Sequence, residues 1–392
     1  MDVAMALAIL FFCFLLLSSA AITFLLLRHF LSGLRRHRAA DAEAAGHLPP
    51  PCSPPQQELP LLPAKELSVG GEKDGEPRKL TWREVEALTG GFDEAAVVGR
   101  GGSSTVYLAM ARVEAPAPPV AVKVHRWCGG ERWLRAFRQE LDLLRRLRHP
   151  HIVALLAYSD DHEEGGALVL EYLSGGTLAD RLHGGASPPL PWRHRMRVVH
   201  DVAGALEHLH DGPGGAPPVV HGDVSASNVL LDGRGLGARL CDLGSACEGF
   251  SAAVAPTRAA VGSPGYVDPF FLRTGIVSKK SDVYSFGVLL LEAITGSPAA
   301  GIPGPDGDGG GNLTARLLPR VRTEGVDGLA DRRLGDDYDV VEAGDVARIA
   351  VECLAAQPGL RPTMAQVRAA IAEKAARSIS IAHHELHGSD ST

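Results

Sequence analysis

The stretch "HGDVSASNVLLD", residues 221–232, sets Asp223 and Asn228 five positions apart, just ahead of an apolar run. An Asp can accept the proton of an attacking hydroxyl. An Asn paired with a second carboxylate can hold a hard cation such as Mg²⁺, which prefers oxygen ligands. That second carboxylate follows in "LCDLGSA": Asp242 lies 19 positions after Asp223. Taken singly, such residues are usually turn formers. Their order relative to what lies upstream is what makes them specific.

Upstream, "VGRGGSSTVY" (98–107) joins two strand-like runs. Gly99, Gly101 and Gly102 there let backbone approach a phosphate without a Cβ in the way. Ser104 stands where a third glycine often would and still offers a backbone N–H. Lys123 sits inside "VAVKV", facing away from Val122 and Val124. It reads either as a solvent-facing charge on an edge strand or as a fixed cation for two phosphates. The second reading needs a carboxylate to orient it, and Glu140 in "FRQELDLL" can supply one.

The rest of the chain is organised around these groups. "AAVVG", "STVYLAMAR", "PVAVKVH", "IVALLAY" and "GALVLEY" read as strands. Residues 131–148 have helical spacing through Leu134, Phe137, Leu141, Leu144 and Leu147. Helices dominate from Trp192 onward. Met196, Val199, Val202, Leu206 and Leu209 form one apolar stripe, and "DVYSFGVLLLEAITG" is apolar nearly all round, as a central buried helix would be. Thr81 with Glu84, and Thr363 with Gln366, have the spacing of helix-starting capping boxes. Residues 300–312 read as a surface insertion and 376–392 as a disordered tail. The expectation is an α+β chain with a small strand-rich lobe followed by a larger helical one.

The chain has 392 residues, a formal net charge of −7 and 45% hydrophobic content. That charge argues against bulk nucleic-acid binding. The six cysteines show no CxxC spacing, so neither a zinc site nor a disulfide framework is indicated. Between Val3 and Leu27 no residue is charged, and Arg28, Arg35, Arg36 and Arg38 follow. Such a run makes ~37 Å of helix, against roughly 30 Å of hydrocarbon. It reads as a single transmembrane helix over 3–27, with residues 1–2 outside and the positive flank in the cytosol. A cleaved signal peptide fits less well, because the first residues are acidic and the run continues past Ser18-Ser19-Ala20. Residues 28–78 then form a basic, later Pro-rich linker to the membrane.

Residues 79–375 resemble a protein kinase domain, specifically that of a plant receptor-like serine/threonine kinase without a sizeable ectodomain. "VAVK", "HGDVSASNVLLD", "CDLGSA", "GSPGYVDPFFLRTGIVSKKSDVYSFGVLLLE" and "GLRPTM" carry the likeness. It implies a bilobal fold, with a small lobe over about 92–171 and a large lobe over about 174–375. It implies that Val98, Gly99, Gly101, Gly102, Val106, Ala121, Leu170, Glu171, Leu173 and Leu230 contact ATP, with Leu170 as gatekeeper of the 170–173 hinge. Lys123 would hold the α- and β-phosphates and pair with Glu140. Asp223 would be the catalytic base, and Asn228 and Asp242 would bind Mg²⁺, with Mn²⁺ as a substitute. His221, Ser263, Asp282 and Arg361 take structural or regulatory places. The partners implied are protein substrates, a membrane receptor or co-receptor kinase and membrane lipid, with no nucleic acid. The location implied is single-pass, kinase domain in the cytosol, at the plasma membrane.

Three departures stand out. Gly222 replaces the usual Arg before the catalytic Asp, making this a non-RD type in which loop phosphorylation matters less. Ser225 replaces the usual Lys two positions on, which slows transfer roughly 10- to 100-fold if nothing compensates; Arg100 is one candidate. Phe270 replaces the Glu that pairs with the Arg at position 361, so that Arg361 turns either to Asp268 or to solvent. Two functions remain: a slow kinase, or a pseudokinase acting as a membrane-held scaffold.

Overall fold

The computed structural model describes residues 76–388, apart from 102–103, 110–117, 127–130, 162–164, 185–187, 234–236, 250–252, 255–261, 302–310 and 325–327. Gly102, residues 1–75 and most of the 300–312 insertion therefore lie outside the described residues.

Alternating apolar residues build a six-stranded sheet in the small lobe. Its strands are β1 (Arg78–Lys79), β2 (Val97–Arg100), β3 (Ser104–Ala109), β4 (Val120–Arg126), β5 (Leu155–Asp161) and β6 (Gly165–Glu171), in the order β1-β5-β6-β4-β3-β2. Only the β1–β5 pairing is parallel. Leu80, directly after β1, is itself buried. Helix α1 (Trp82–Leu88) starts on the Thr81–Glu84 capping box and lays Trp82 against Phe92, with ring centroids 5.6 Å apart. Val122 and Val124 pack into this lobe's core with Leu80, Val85 and Tyr107. The residues between them in β4 therefore face the cleft.

Helix α2 (Glu131–Arg146) crosses behind the sheet. Its Phe137, Leu141 and Leu144 join the core cluster that continues into the large lobe. That lobe is framed by α3 (Leu178–His183), α4 (Trp192–Asp211), α5 (Pro269–Thr274), α6 (Lys279–Thr295), α7 (Leu313–Glu324), α8 (Val340–Cys353) and α9 (Met364–Lys374). The α4 stripe is wholly buried. Helix α6 is apolar on nearly every side because α4, α7 and α8 surround it. At Gly287 a Cβ would lie 2.8 Å from the Cys353 Cβ, so α6 and α8 can approach this closely only with glycine there. Two-stranded pairings of β7 (Val219–Val220) with β10 (Cys247–Glu248), β8 (Val229–Leu231) with β9 (Ala238–Leu240), and β11 (Ala253–Val254) with β12 (Ile276–Val277) set out the loops along the cleft.

Two expectations need correction. Residues 376–388 of the tail read as disordered form helix α10 (Ala376–Gly388) against α4. Ala382 is buried, Ser378 Oγ donates to Glu342, and Glu385 pairs with Arg193 and His194. Ile379 and Ala382 continue the buried spacing of Ile371 and Ala375, while the polar partners lie far back in the chain. The second correction concerns the membrane. Among the described residues no helix is long and apolar enough to cross one. The run 3–27 lies outside those residues. Its hydropathy met a length criterion, which does not by itself specify a transmembrane path.

Candidate active site

Lys123 is brought to the cleft by its position in β4, and α2 brings Glu140 to meet it. Lys123 Nζ donates to both Glu140 carboxylate oxygens, at 2.9 and 2.7 Å, and to Asp242 Oδ1 at 3.0 Å. Lys123 and Glu140 are both buried, which rules out the solvent-facing alternative. Burial disfavours the ammonium, but Glu140 and Asp242 outweigh it and hold the Lys123 pKa above its ordinary value. Burial likewise works against the Asp242 carboxylate, and Lys123 overcomes it, so the Asp242 pKa is lowered.

Asp242 caps the short turn Leu243–Ser245 and has φ of +64°, a left-handed backbone that a residue with a Cβ rarely adopts. Such conformations persist where the surroundings over-determine them, and they cluster at functional sites. Its Oδ1 accepts from Lys123 and from the Gly244 amide. Its Oδ2 has no hydrogen bond among the described residues.

The loop of residues 221–228 is held chiefly by backbone bonds. Asp282, on α6 and 1% exposed, accepts from the His221 and Gly222 amides at 2.8 and 2.9 Å. His221 Nδ1 accepts from the Asp223 amide, so its Nε2–H donates to Cys241 O at 3.1 Å. The Asp223 carboxylate accepts from the Ser263 amide at 2.7 Å and from Asn228 Nδ2 at 3.2 Å. Asn228 Nδ2 also donates to Asp223 O, which leaves the Asn228 carbonyl oxygen available.

Along the Gly-rich hairpin, Gly99 pairs with Val106, and Val106 with Lys123. A Cβ at Gly99 would meet only the Val106 side chain, at an ordinary 3.7 Å. The protein's own packing therefore does not require glycine at that position. Ala121 stands opposite Leu170 in the sheet, and Leu170 opposite Leu155. The Glu171 side chain accepts from the Ala154 amide and lies 3.3 Å from Arg239, and Leu230 sits in β8 under the lobe junction. Val98 is half exposed and Leu173 partly buried.

The chain belongs to the protein kinase family. The protein kinase domain model matches residues 92–370. The chain is 50% identical over 305 residues to the salt tolerance receptor-like cytoplasmic kinase 1 of Oryza sativa subsp. japonica, covering 76% of this chain and 80% of that protein. It is 40% identical over 303 residues to a probable receptor-like protein kinase of Arabidopsis thaliana, covering 73% and 85%. It is 35% identical over 300 residues to a probable LRR receptor-like serine/threonine-protein kinase of the same plant, covering 74% and 31%. The relatives are plant receptor-like kinases, and the first of them carries "cytoplasmic" in its name. With no helix able to cross a membrane among the described residues, the single-pass membrane location expected above does not stand.

ATP and a divalent metal are general to this family. The donors present suit such a metal: one carboxylate oxygen of Asp242 and the carbonyl oxygen of Asn228 are both hard ligands. A hard cation of this kind usually takes one or two protein groups plus phosphate oxygens.

The structure also places groups whose roles the sequence did not reveal. Arg361 turns to Asp268, with bonds of 2.7 and 2.9 Å between two side chains that are each 1% exposed. Arg100 does not reach the Asp223 loop: it is ion-paired with Glu94. Gly222 has φ of +79°, and a Cβ there would lie 2.6 Å from Ser245 O. Ser225 is fully buried. Tyr266 Oη donates to Glu292 and accepts from the Ala226 amide, tying α6 to the loop of residues 221–228. Burial pushes the Glu292 pKa up to about 7, against the bonds from Tyr266 and Ala299. Tyr266 lies within the quoted "GSPGY", but only its distance to Glu292 identifies the bond.

Proposed function

We propose that this chain is a serine/threonine protein kinase of the non-RD type that transfers the γ-phosphoryl group of Mg²⁺-ATP to protein hydroxyls in signalling. The observation that carries the reading is the three-way contact of the Lys123 ammonium with Glu140 and Asp242, groups far apart in sequence that meet in one cleft. Relatives named serine/threonine kinases support the specificity. A receptor or co-receptor kinase acting upstream is the partner that this reading adds.

In this reading the hairpin at Gly99, Gly101 and Gly102 and the Lys123 ammonium seat the phosphates. Adenine lies between Val106, Ala121, Leu170, the 171–173 backbone and Leu230. Asp223, oriented by the Ser263 amide and Asn228, takes the proton of the attacking hydroxyl as its oxygen bonds to the γ-phosphorus and the bond to the β-phosphate oxygen breaks. Asn228 and Asp242 would hold the metal, which neutralises charge on the phosphates when bound.

A scaffold without transfer activity is the second reading, favoured by the neutral, buried Ser225. A transfer assay with the full chain, labelled ATP and Mg²⁺ separates them. The kinase reading expects incorporation that Asp223→Asn abolishes while ATP still binds. Equal, negligible incorporation in both proteins overturns it.

A further inference from the structure

We propose that the protein substrate brings a Lys or Arg side chain beside its acceptor hydroxyl, and that this cation completes the charge around the transferred phosphoryl group. The inference rests on the kinase reading and names its substrate class.

Phosphoryl transfer needs little covalent chemistry from a protein. It needs positioning and positive charge on the phosphoryl oxygens. Among the described residues the cleft is short of that charge. Lys123 is already bonded to Glu140 and Asp242. Asp223 is bonded to an amide and a carboxamide, and to no cation among the described residues. Two positions on, Ser225 is fully buried, and its Oγ has no hydrogen-bond partner. Arg100 is turned to Glu94. Three carboxylates (Glu140, Asp223, Asp242) therefore face one ammonium before any nucleotide enters.

Room for an incoming cation adjoins Asp223. A partly open cavity of about 70 Å³ adjoins Asp223, where Gly222 carries no side chain. Ser245, Ser263 and Asp282 also line it, and among the described residues no Lys, Arg or His does. That volume is several times the ~10–15 Å³ one water needs, so an ammonium or planar guanidinium head fits. Asp223 belongs to both the cavity and the reacting site, so a cation held there lies against the group that meets the acceptor hydroxyl. Guanidinium suits the task best, because it can bond two phosphoryl oxygens at once.

The test uses the full chain and a set of single-Ser peptides, identical except for Arg or Gln at one position from three before to three after the acceptor. Initial rates give kcat and KM separately. The expected result is a kcat about ten- to hundredfold higher for Arg at one or two positions. Ser225→Lys should raise the rate on the Gln peptides and erase the preference. Should that buried substitution unfold the protein, millimolar methylguanidinium added to the native chain provides the same readout: it should accelerate the Gln peptides and leave the best Arg peptide unchanged. Equal kcat across the series, or a preference confined to KM, overturns the inference while leaving the kinase reading intact. Silence on every peptide, matched by Asp223→Asn, overturns the kinase reading and this inference with it.

Discussion

The two walls of the cleft hold their charged groups by different means. On the small-lobe wall, Lys123 is fixed by opposite charges, from Glu140 behind it and Asp242 across from it. On the large-lobe wall, Asp223 is fixed by amides and a carboxamide, on a loop whose backbone is pinned by Asp282. A charge-held group depends on each partner remaining ionised and in place. A backbone-held group depends on the path of the chain. The second arrangement explains how residues 222 and 225 can lack charged side chains while Asp223 keeps its place.

The substitution with the largest expected effect separates chemistry from position. Asp223→Asn keeps the Ser263 and Asn228 geometry but loses the proton acceptor, and kcat should fall by about 10²–10⁴ with little change in ATP affinity, read by steady-state kinetics and nucleotide titration. Next comes the support beneath the backbone-held wall. Asp268→Ala leaves the buried Arg361 without its carboxylate and should cost about 3–5 kcal/mol in urea unfolding.

Glu292 gives a pH test of the same wall. Its folded pKa is raised from 4.5 to about 7 by burial, so the folded protein holds a proton that the unfolded chain has released. Stability from this group is present in full below pH about 4.5 and is lost as pH rises through about 7, a change of about 3 kcal/mol. Unfolding titrations across that window should show the loss, and Glu292→Gln should flatten it. Gly222→Ala sharpens the point about chain path. A Cβ forced into a left-handed backbone beside Ser245 O should cost about 1–3 kcal/mol in thermal or urea unfolding. Far from both walls, Thr81→Ala breaks a capping box and should cost only ~1 kcal/mol in the same measurement, with kcat unchanged.

The contrast between the walls also explains what could be read from the sequence. Lys123, Asp223, Asn228 and Asp242 were legible as candidates because each lies beside a recognisable strand or turn, and the structure brings Lys123 to Asp242 and Asn228 to Asp223. The α4 stripe and the buried α6 were legible because their periods are local. What escaped depended on distance. Asp268 and Arg361 are 93 positions apart, and only folding chose between that carboxylate and solvent. Gly222 looked like a missing side chain, whereas the structure shows a backbone turn that any side chain would obstruct. Helix α10 was missed because its buried apolar residues are few, chiefly Ile379 and Ala382, and the polar partners of Ser378 and Glu385 lie far back in the chain.

That last helix bears on how the protein can be shortened or labelled. Glu342 is buried and receives the Trp192 indole N–H together with the Ser378 amide and hydroxyl. Ending the chain at residue 375 would strip away two of those three donors and uncover the flank of the long helix that opens with Trp192. Anything fused directly after residue 388 would extend from a helix that Glu385 pairs to Arg193 and His194 of the large lobe.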